Sequence, residues 1–200
     1  MTCWVVIPAK NPAEAKGRLA ATVAADRRRD LALAMLKRAL KAAGEAGASG
    51  GIVVVGSLPP GLSDSAVVIA EPGGGLNAAV THARTVIAQR GGSRIVTLAA
   101  DLPSVTADDV RALCQLPAGI VGLAPDHHGT GTNALSLPLP EALDFAYAYG
   151  PGSCARHLAE ARRLGLDCRL IETPGLARDI DEPADLDGAS ALLAGLKGRS

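Results

Sequence analysis

The feature that most constrains the fold is an alternation of short apolar segments with helix-like segments along the whole chain. The runs Cys3–Ile7 and Arg94–Ala100 are almost uninterrupted apolar sequence. Between them, residues 26–46 carry apolar side chains at helical spacing, namely Leu31, Met35, Leu36 and Leu40. Alternation of this kind is typical of a mostly parallel sheet with helices on both faces, because continuous apolar strands suit a sheet covered on both sides.

The remaining elements follow the same order. Further strands are predicted at Ile52–Val55, Ala66–Ala70, Ile120–Ala124, Asn133–Leu137 and Leu170–Ile171. Further helices are predicted at Leu76–Arg90, after an N-cap at Thr106, from a cap at Ser153 to about Leu164 with His157 on one face, and from Pro183 onward. No linker or internal repeat divides the 200 residues. We therefore predict one α/β domain spanning residues 1–200.

Charge and hydropathy exclude two classes of partner. Lys plus Arg and Asp plus Glu each number 20, and aromatic residues make up only 2% of the chain. Nucleic-acid binding proteins usually carry a basic excess with interleaved aromatics, so we expect no nucleic acid partner. The chain has no run of 18 apolar residues and no basic leader, so we expect a cytoplasmic protein without a membrane partner.

The first segment with chemical character follows the first strand. In open α/β sheets, ligands bind outside the carboxyl ends of the strands. Here the strand leads into Pro8 and Ala9, and then into a loop with three cations, Lys10, Lys16 and Arg18. These cations suit the negative charge of a triphosphate. The loop lacks the GxxxxGK[ST] and GxGxxG patterns, and a solvated basic loop is the alternative.

Three aspartates form a candidate metal site. Asp101 follows the RIVTLAA strand directly, where it is well placed to hold a divalent cation or simply to form a turn. Asp179 and Asp181 are two residues apart, so they project to the same side if this segment is extended. With Asp101 they would make an oxygen-rich magnesium site. The alternative for Asp181 is a cap on the last helix.

Two glycine-containing turns are candidates for anion binding. GTGTN contains Thr132 and Asn133, and YGPGS contains Gly150 and Ser153. Small residues let backbone N–H groups approach an anion, and hydroxyl groups add donors. A third glycine-rich segment includes Gly75 and precedes a helix. Its Asn77 is a candidate contact for a base or ribose, or alternatively a helix cap.

The motifs together resemble one family. In order along the chain they are IPAK…AKGRL, GLNAA, AADLP, GTGTNAL, YGPGS and DIDEPADL. This set resembles the guanylyltransferases of deazaflavin coenzyme F-420 biosynthesis, which use 2-phospho-L-lactate, phosphoenolpyruvate or, in some members, 3-phosphoglycerate. The resemblance runs from Trp4 to about Leu186. It implies a Rossmann-like, glycosyltransferase-A-like α/β fold similar to the sugar-nucleotide and molybdenum-cofactor nucleotidyltransferases.

The resemblance also implies roles for individual residues. The metal-holding positions match Asp101, Asp179 and Asp181, and Mg²⁺ is the implied cofactor. The positions that hold the phosphorylated acid match Thr132, Gly150 and Ser153, with Asn133 beside them. Lys10, Lys16 and Arg18 fall in the stretch expected to face the triphosphate of GTP, and Lys16 is expected to act in catalysis. Gly75 and Asn77 remain candidates for nucleotide binding from the residues themselves. Gly17 stands where the family often has a hydroxyl residue, and Arg38 stands where it has an acidic one.

Alternatives to this function remain open. A transferase for a sugar phosphate or for molybdopterin is one alternative, against which GTGTN and YGPGS count, and a catalytically silent nucleotide-binding regulator on the same fold is another. Three retained aspartates count against the regulator. The sequence does not decide which acid is used, whether GTP is preferred over other triphosphates, or the oligomeric state, for which a homodimer is one alternative.

Overall fold

The sheet at the centre of the molecule confirms the predicted α/β architecture. The computed structural model describes residues 2–12, 16–59, 61–62 and 66–189. The strands of this part are β1 (Cys3–Ala9), β2 (Gly51–Gly56), β3 (Val67–Ile69), β4 (Arg94–Leu98), β5 (Ile120–Pro125), β6 (Thr132–Pro138) and β7 (Asp167–Leu170). They form a seven-stranded sheet in the order β3-β2-β1-β4-β6-β5-β7.

The four longer helices lie close to their predicted positions, at α1 (Ala25–Glu45), α2 (Gly75–Gln89), α3 (Ala107–Cys114) and α4 (Ser153–Arg163). The predicted last helix begins as a 3-10 helix at Pro183–Ala189, whereas the short α5 (Pro174–Ala177) and the 3-10 helix at Gly17–Ala21 were not predicted. Thr106 caps α3 as predicted, since its Oγ1 accepts the N–H of Asp109 while the Asp109 carboxylate accepts the N–H of Thr106. The continuation of the predicted last helix beyond residue 189 lies outside the described residues.

Two local predictions were wrong. Ser153 is the first residue of α4 rather than its cap, because Gly152 occupies the cap position with a left-handed φ of 70°. A serine side chain would disfavour that backbone conformation, whereas glycine adopts it freely. Ile171 lies just past the end of β7, although its N–H still donates to the Leu123 carbonyl at 2.9 Å.

The core lies on both faces of the sheet. On one face, α1 and α3 pack their apolar stripes against strand residues such as Val5, Ile7 and Val96. On the other face, α2 and α4 cover residues such as Val6 and Ile95. Each of these five side chains is fully buried, which stabilises the fold by about 1.5–3 kcal/mol for each aliphatic group. This double burial is the physical reason for the continuous apolar strands.

The mixed orientation of the strands determines what meets at the edge of the sheet. β1 is parallel to β2 and β4, and β3 and β7 also pair in parallel with their neighbours. β6 is antiparallel to both β4 and β5, so its first residues lie at the edge where β4 ends. The Ala99 N–H donates to the Asn133 carbonyl at 2.9 Å. The start of β6, which contains the last two residues of GTGTN, therefore lies beside the end of β4. In the part of the chain that the structure describes, no helix is both long and apolar enough to cross a membrane.

Candidate active site

A cleft of about 660 Å³ opens where β1 and β4 end and β6 begins. Ten of the predicted site residues line it, namely Pro8, Ala9, Lys10, Lys16, Arg18, Gly75, Asp101, Thr132, Asn133 and Asp181. A second depression lies against α1 beside Gly61 and Leu62, and its lining contains none of the predicted site residues. The cleft is therefore the candidate active site.

The three predicted aspartates meet at one end of the cleft. One carboxylate oxygen from each of Asp101, Asp179 and Asp181 lies within 4.8 Å of the others. The segment after α5 is held here by its backbone, because the Ile180 N–H donates to the Asp101 carbonyl at 3.3 Å. The buried Ile180 side chain packs with Leu19, Leu31 and Met35 on the opposite side of this segment. Alternation along an extended chain thus points both aspartates toward Asp101.

Lys16 connects two of these carboxylates. Its ammonium group lies 2.7 Å from Asp101 Oδ2 and 2.9 Å from Asp181 Oδ1, and only 8% of its side chain is exposed. Burial by itself would lower the pKa of Lys16, but the charges of the two carboxylates outweigh burial and raise it. Arg18 approaches Asp181 at 3.8 Å with a largely exposed side chain. Lys16 is the cation that the structure fixes in the site, with a left-handed φ of 59° at its own backbone.

Asp179 is a partly buried carboxylate beside two others. Burial raises the pKa of its carboxyl group, and the negative charges of Asp101 and Asp181 add to this rise. Asn133 holds the segment by donating from Nδ2 to the Leu176 carbonyl at 2.9 Å, to the Ala177 carbonyl at 3.3 Å and to Asp179 Oδ1 at 3.5 Å. A carboxylate destabilised by its neighbours gains from a bound cation, which offsets the repulsion.

The aspartate cluster fits a hard divalent cation. Carboxylate oxygens are the ligands that Mg²⁺ and Mn²⁺ prefer, and sites for these ions commonly combine a few carboxylates with phosphate oxygens of a substrate. Here Lys16 already lies between two of the carboxylates, so the same groups attract positive charge without any ion. The donor set supports a metal site composed of Asp101, Asp179 and Asp181.

A second group of polar side chains lies at the start of β6. Thr132 Oγ1 lies 3.1 Å from Ser153 Oγ and 3.1 Å from Nδ1 of His157. His157 Nε2 accepts the Ala148 N–H at 2.9 Å. All three side chains belong to buried residues. The hydroxyls of GTGTN and YGPGS, predicted to bind one ligand, are thus in direct contact.

The YGPGS loop is fastened to α2 by Asn77. The Asn77 side chain accepts the Tyr149 N–H at 2.8 Å and donates to the Tyr149 carbonyl at 3.3 Å. Gly150, with a φ of 122°, then turns the chain toward α4. Asn77 is not the cap of α2, which is Gly74. These two bonds use one N–H hydrogen and one oxygen lone pair of the Asn77 amide, which leaves one of each for a further contact.

Four predicted residues are not part of the cleft lining. Asp179 belongs to the carboxylate cluster, Asn77 is hydrogen-bonded to the backbone of Tyr149, Gly150 follows Tyr149 in the chain, and Ser153 is hydrogen-bonded to Thr132. The predictions missed other residues that line the cleft, including Glu71 and Thr97, and gave no role of its own to Tyr149 of YGPGS. It also assigned His157 only to a helix face. An isolated histidine or glutamate carries no spacing signal, so only the tertiary contacts identify these residues.

Comparison with known proteins determines the family. The model of the family described as guanylyl transferase CofC like matches residues 3–195. The chain belongs to this family. It is 41% identical over 192 residues to the phosphoenolpyruvate guanylyltransferase of Sphaerobacter thermophilus, covering 94% of this chain and 92% of that protein. It is 38% identical over 189 residues to the protein of the same name from Chloroflexus aggregans, covering 89% and 92%.

Solved structures extend the comparison to the fold. A putative nucleotide-diphospho-sugar transferase from Desulfovibrio desulfuricans G20 has a TM-score of 0.74 at 16% identity, covering 97% of each chain. A Mycobacterium tuberculosis H37Rv protein, solved in complex with manganese, has a TM-score of 0.60 at 17% identity, covering 94% of this chain and 97% of that one. These identities establish the fold alone. The family membership establishes that the chain is a nucleotidyltransferase of the guanylyltransferase type, as the motifs predicted.

Proposed function

We propose that this protein transfers GMP from GTP to a small phosphorylated carboxylic acid, with release of pyrophosphate, in the biosynthesis of deazaflavin coenzyme F-420. Phosphoenolpyruvate is the first candidate for the acid, because the curated relatives carry that substrate in their names. The observation that carries the proposal is the cleft itself. The carboxylate end holds three clustered carboxylates with Lys16, and the hydroxyl end holds Thr132, whose hydroxyl is paired with that of Ser153 from YGPGS.

The proposed reaction is a substitution at phosphorus. A phosphate oxygen of the acid forms a bond to the α-phosphorus of GTP. The bond from that phosphorus to the oxygen that bridges the α- and β-phosphates breaks, and pyrophosphate is released. A phosphate monoester has a second pKa of about 6, so its oxygen is already largely ionised at neutral pH. The chemistry needs no general base, and Lys16 is a cation rather than a base in this site.

The main obstacle is the repulsion between two polyanions. Asp101, Asp179 and Asp181 would hold Mg²⁺, which when bound supplies positive charge to the phosphate oxygens. Lys10 and Arg18, both lining the cleft, contribute further positive charge for the triphosphate. Lys16, held beside Asp101 and Asp181, is positioned to neutralise charge at the reacting phosphate.

The acid is proposed to bind at the opposite end. Thr132 lines the cleft, and Ser153 lies directly behind it at the first turn of α4. The amino end of a helix carries partial positive charge, which favours a carboxylate or phosphate nearby. Asn133 is proposed to act indirectly, by fixing the segment that carries Asp179.

The test is pyrophosphate release from GTP and Mg²⁺ with phosphoenolpyruvate, 2-phospho-L-lactate and 3-phosphoglycerate supplied separately. We expect release that depends on one acid and on the metal, and mass spectrometry of the product should show GMP joined to that acid. Reactions with ATP or CTP in place of GTP test the base. Absence of release with every acid would contradict the proposal.

A further inference from the structure

The hydrogen bonds of His157 determine which of its nitrogens carries the proton. Nε2 lies 2.9 Å from the Ala148 nitrogen, and a backbone N–H can only donate. Nε2 must therefore be the unprotonated nitrogen that accepts. In a neutral imidazole the other nitrogen then carries the hydrogen, so Nδ1–H donates to Thr132 Oγ1 across the 3.1 Å contact.

This direction has a consequence for the two hydroxyl groups. Thr132 and Ser153 have one O–H hydrogen each, and one of the two is used in the 3.1 Å bond between them. Because His157 donates rather than accepts, it uses neither hydrogen. One hydroxyl hydrogen of the pair therefore remains for a ligand. With the opposite tautomer, Thr132 would have to donate to Nδ1, and the pair would present only lone pairs to an anion.

We propose that His157 is a positioning residue for the phosphorylated acid: it keeps one hydroxyl of the Thr132–Ser153 pair as a hydrogen-bond donor toward the acid's anionic oxygens. This inference rests on the proposed function, and it adds to the reaction a residue that does not line the cleft itself. Hydrogen bonds to an anion are stronger than those between neutral groups, so a donor held in the correct direction contributes to both affinity and specificity.

The surroundings of His157 support a fixed, neutral ring. The residue is fully buried, and its ring lies 4.9 Å from Tyr149 and 5.9 Å from Phe145, measured between centroids. Burial lowers its pKa to about 4, with Arg156 adding to the decrease and Glu160 opposing it. The ring therefore keeps the donor at Nδ1 through the neutral pH range.

Two substitutions separate this role from a merely structural one. In His157→Asn, the amide nitrogen occupies the place of Nδ1 and can donate to Thr132, but the acceptor for Ala148 is lost. In His157→Gln, the amide oxygen reaches the place of Nε2 and can accept from Ala148, but the donor at Nδ1 is lost.

We expect H157Q to raise KM for the acid roughly tenfold with KM for GTP unchanged, because the hydroxyl hydrogen is no longer directed toward the anion and a charged hydrogen bond is lost. We expect H157N to keep KM for the acid within about threefold of the wild type and to lose thermal stability instead, since it leaves a buried N–H unpaired.

A double-mutant cycle tests whether His157 acts through Thr132. Thr132→Val keeps the shape of the side chain and removes the hydroxyl, and we expect it to raise KM for the acid by about tenfold or more. In that background, His157→Gln should have little additional effect on KM, because there is no longer a threonine hydroxyl to direct. His82→Gln, at an exposed position of α2, is the matched control and should change neither KM.

The outcomes distinguish this inference from the function on which it rests. If the wild type releases pyrophosphate with an acid but H157N raises KM for the acid as much as H157Q does, His157 is a structural anchor and the inference is overturned. Additive effects of T132V and H157Q would overturn it as well. If the wild type shows no acid-dependent release at all, the proposed function fails first.

Discussion

The two ends of the cleft are held together by different physical interactions. The carboxylate end contains three aspartates and Lys16, joined by ion pairs at 2.7 and 2.9 Å, and its aspartates are partly exposed to solvent. The hydroxyl end, comprising Thr132, Ser153 and His157, is buried and joined by hydrogen bonds without a net charge. The first end is held by the attraction of carboxylates to an internal cation, whereas the second is held by hydrogen bonds of fixed direction.

From this difference we expect the two ends to bind different substrates. Charge acts over distance and tolerates changes of shape, so the carboxylate end suits a triphosphate with its metal. Directed hydrogen bonds in a buried environment discriminate between similar small molecules, because a wrongly placed group leaves buried polar atoms unpaired. We expect substitutions at the carboxylate end to lower kcat, and substitutions at the hydroxyl end to change the KM of the acid.

The largest effect is expected for Asp101→Asn. The substitution keeps the shape of the side chain but removes a charged ligand of the proposed metal. We expect kcat to fall by about a thousandfold, since a bound metal supplies several kcal/mol of charge stabilisation. The measurement is pyrophosphate release at saturating Mg²⁺, with circular dichroism to confirm the fold. Asp167→Asn, at the exposed start of β7, is the matched control. Normal turnover by D101N would contradict the metal assignment.

Lys16→Met comes next and tests whether the ammonium competes with the metal. The methylene groups of Lys16 are buried, and methionine can fill this space. We expect kcat/KM to fall by about a hundredfold, because positive charge at the phosphates is lost. Mn²⁺ binding, measured by calorimetry, should stay the same or become tighter, since Asp101 and Asp181 lose their internal cation. Weaker Mn²⁺ binding would show that Lys16 organises the site instead. Lys41→Met, on the exposed side of α1, serves as control.

The hydroxyl end predicts a pH-dependent stability. His157 has a native pKa of about 4, below its ordinary value of 6.5, so the unfolded chain binds the proton more readily. The stabilisation is present above pH 6.5 and is lost as the pH falls toward 4, by about 2 kcal/mol at pH 5. Urea unfolding of the wild type and H157Q at pH 7 and pH 5 measures the difference. Glu160, with a pKa of about 2, titrates below this range. Equal losses in both proteins would contradict a buried neutral His157.

The smallest effect is expected for Asn133→Ala, which lies between the two ends. Its amide holds the backbone of α5 and the Asp179 carboxylate. We expect Mn²⁺ affinity to fall about tenfold, as for other groups that orient metal ligands. KM for the acid should change less than in T132V. Gln89→Ala, exposed at the end of α2, is the control. An acid-specific defect would place Asn133 at the hydroxyl end instead.

Much of the fold was readable from local pattern. The apolar stripe of residues 26–46 predicted α1 within one residue at each end, and the uninterrupted run before Asp101 predicted β4. Both signals come from burial on known faces, which repeats along the sequence with the period of the element. Lys16 was singled out because three cations lie in one loop. Its ion pairs could not be predicted from the sequence, because Asp101 is 85 residues away and Asp181 is 165 residues away.

The sequence by itself determined the α/β class, the loops that follow the strands, and the set of motifs that marks the family. Only the tertiary structure decided that β6 runs antiparallel, which brings Thr132 and Asn133 to the edge where β4 ends. Only the tertiary structure decided that Asp101, Asp179 and Asp181 lie within 4.8 Å, and that His157 faces Thr132 rather than solvent. The reason is physical, because the periodicity of apolar residues depends only on which face of an element is buried. Contacts between distant segments depend on the order and direction of the strands, and these produce no periodic pattern in the sequence.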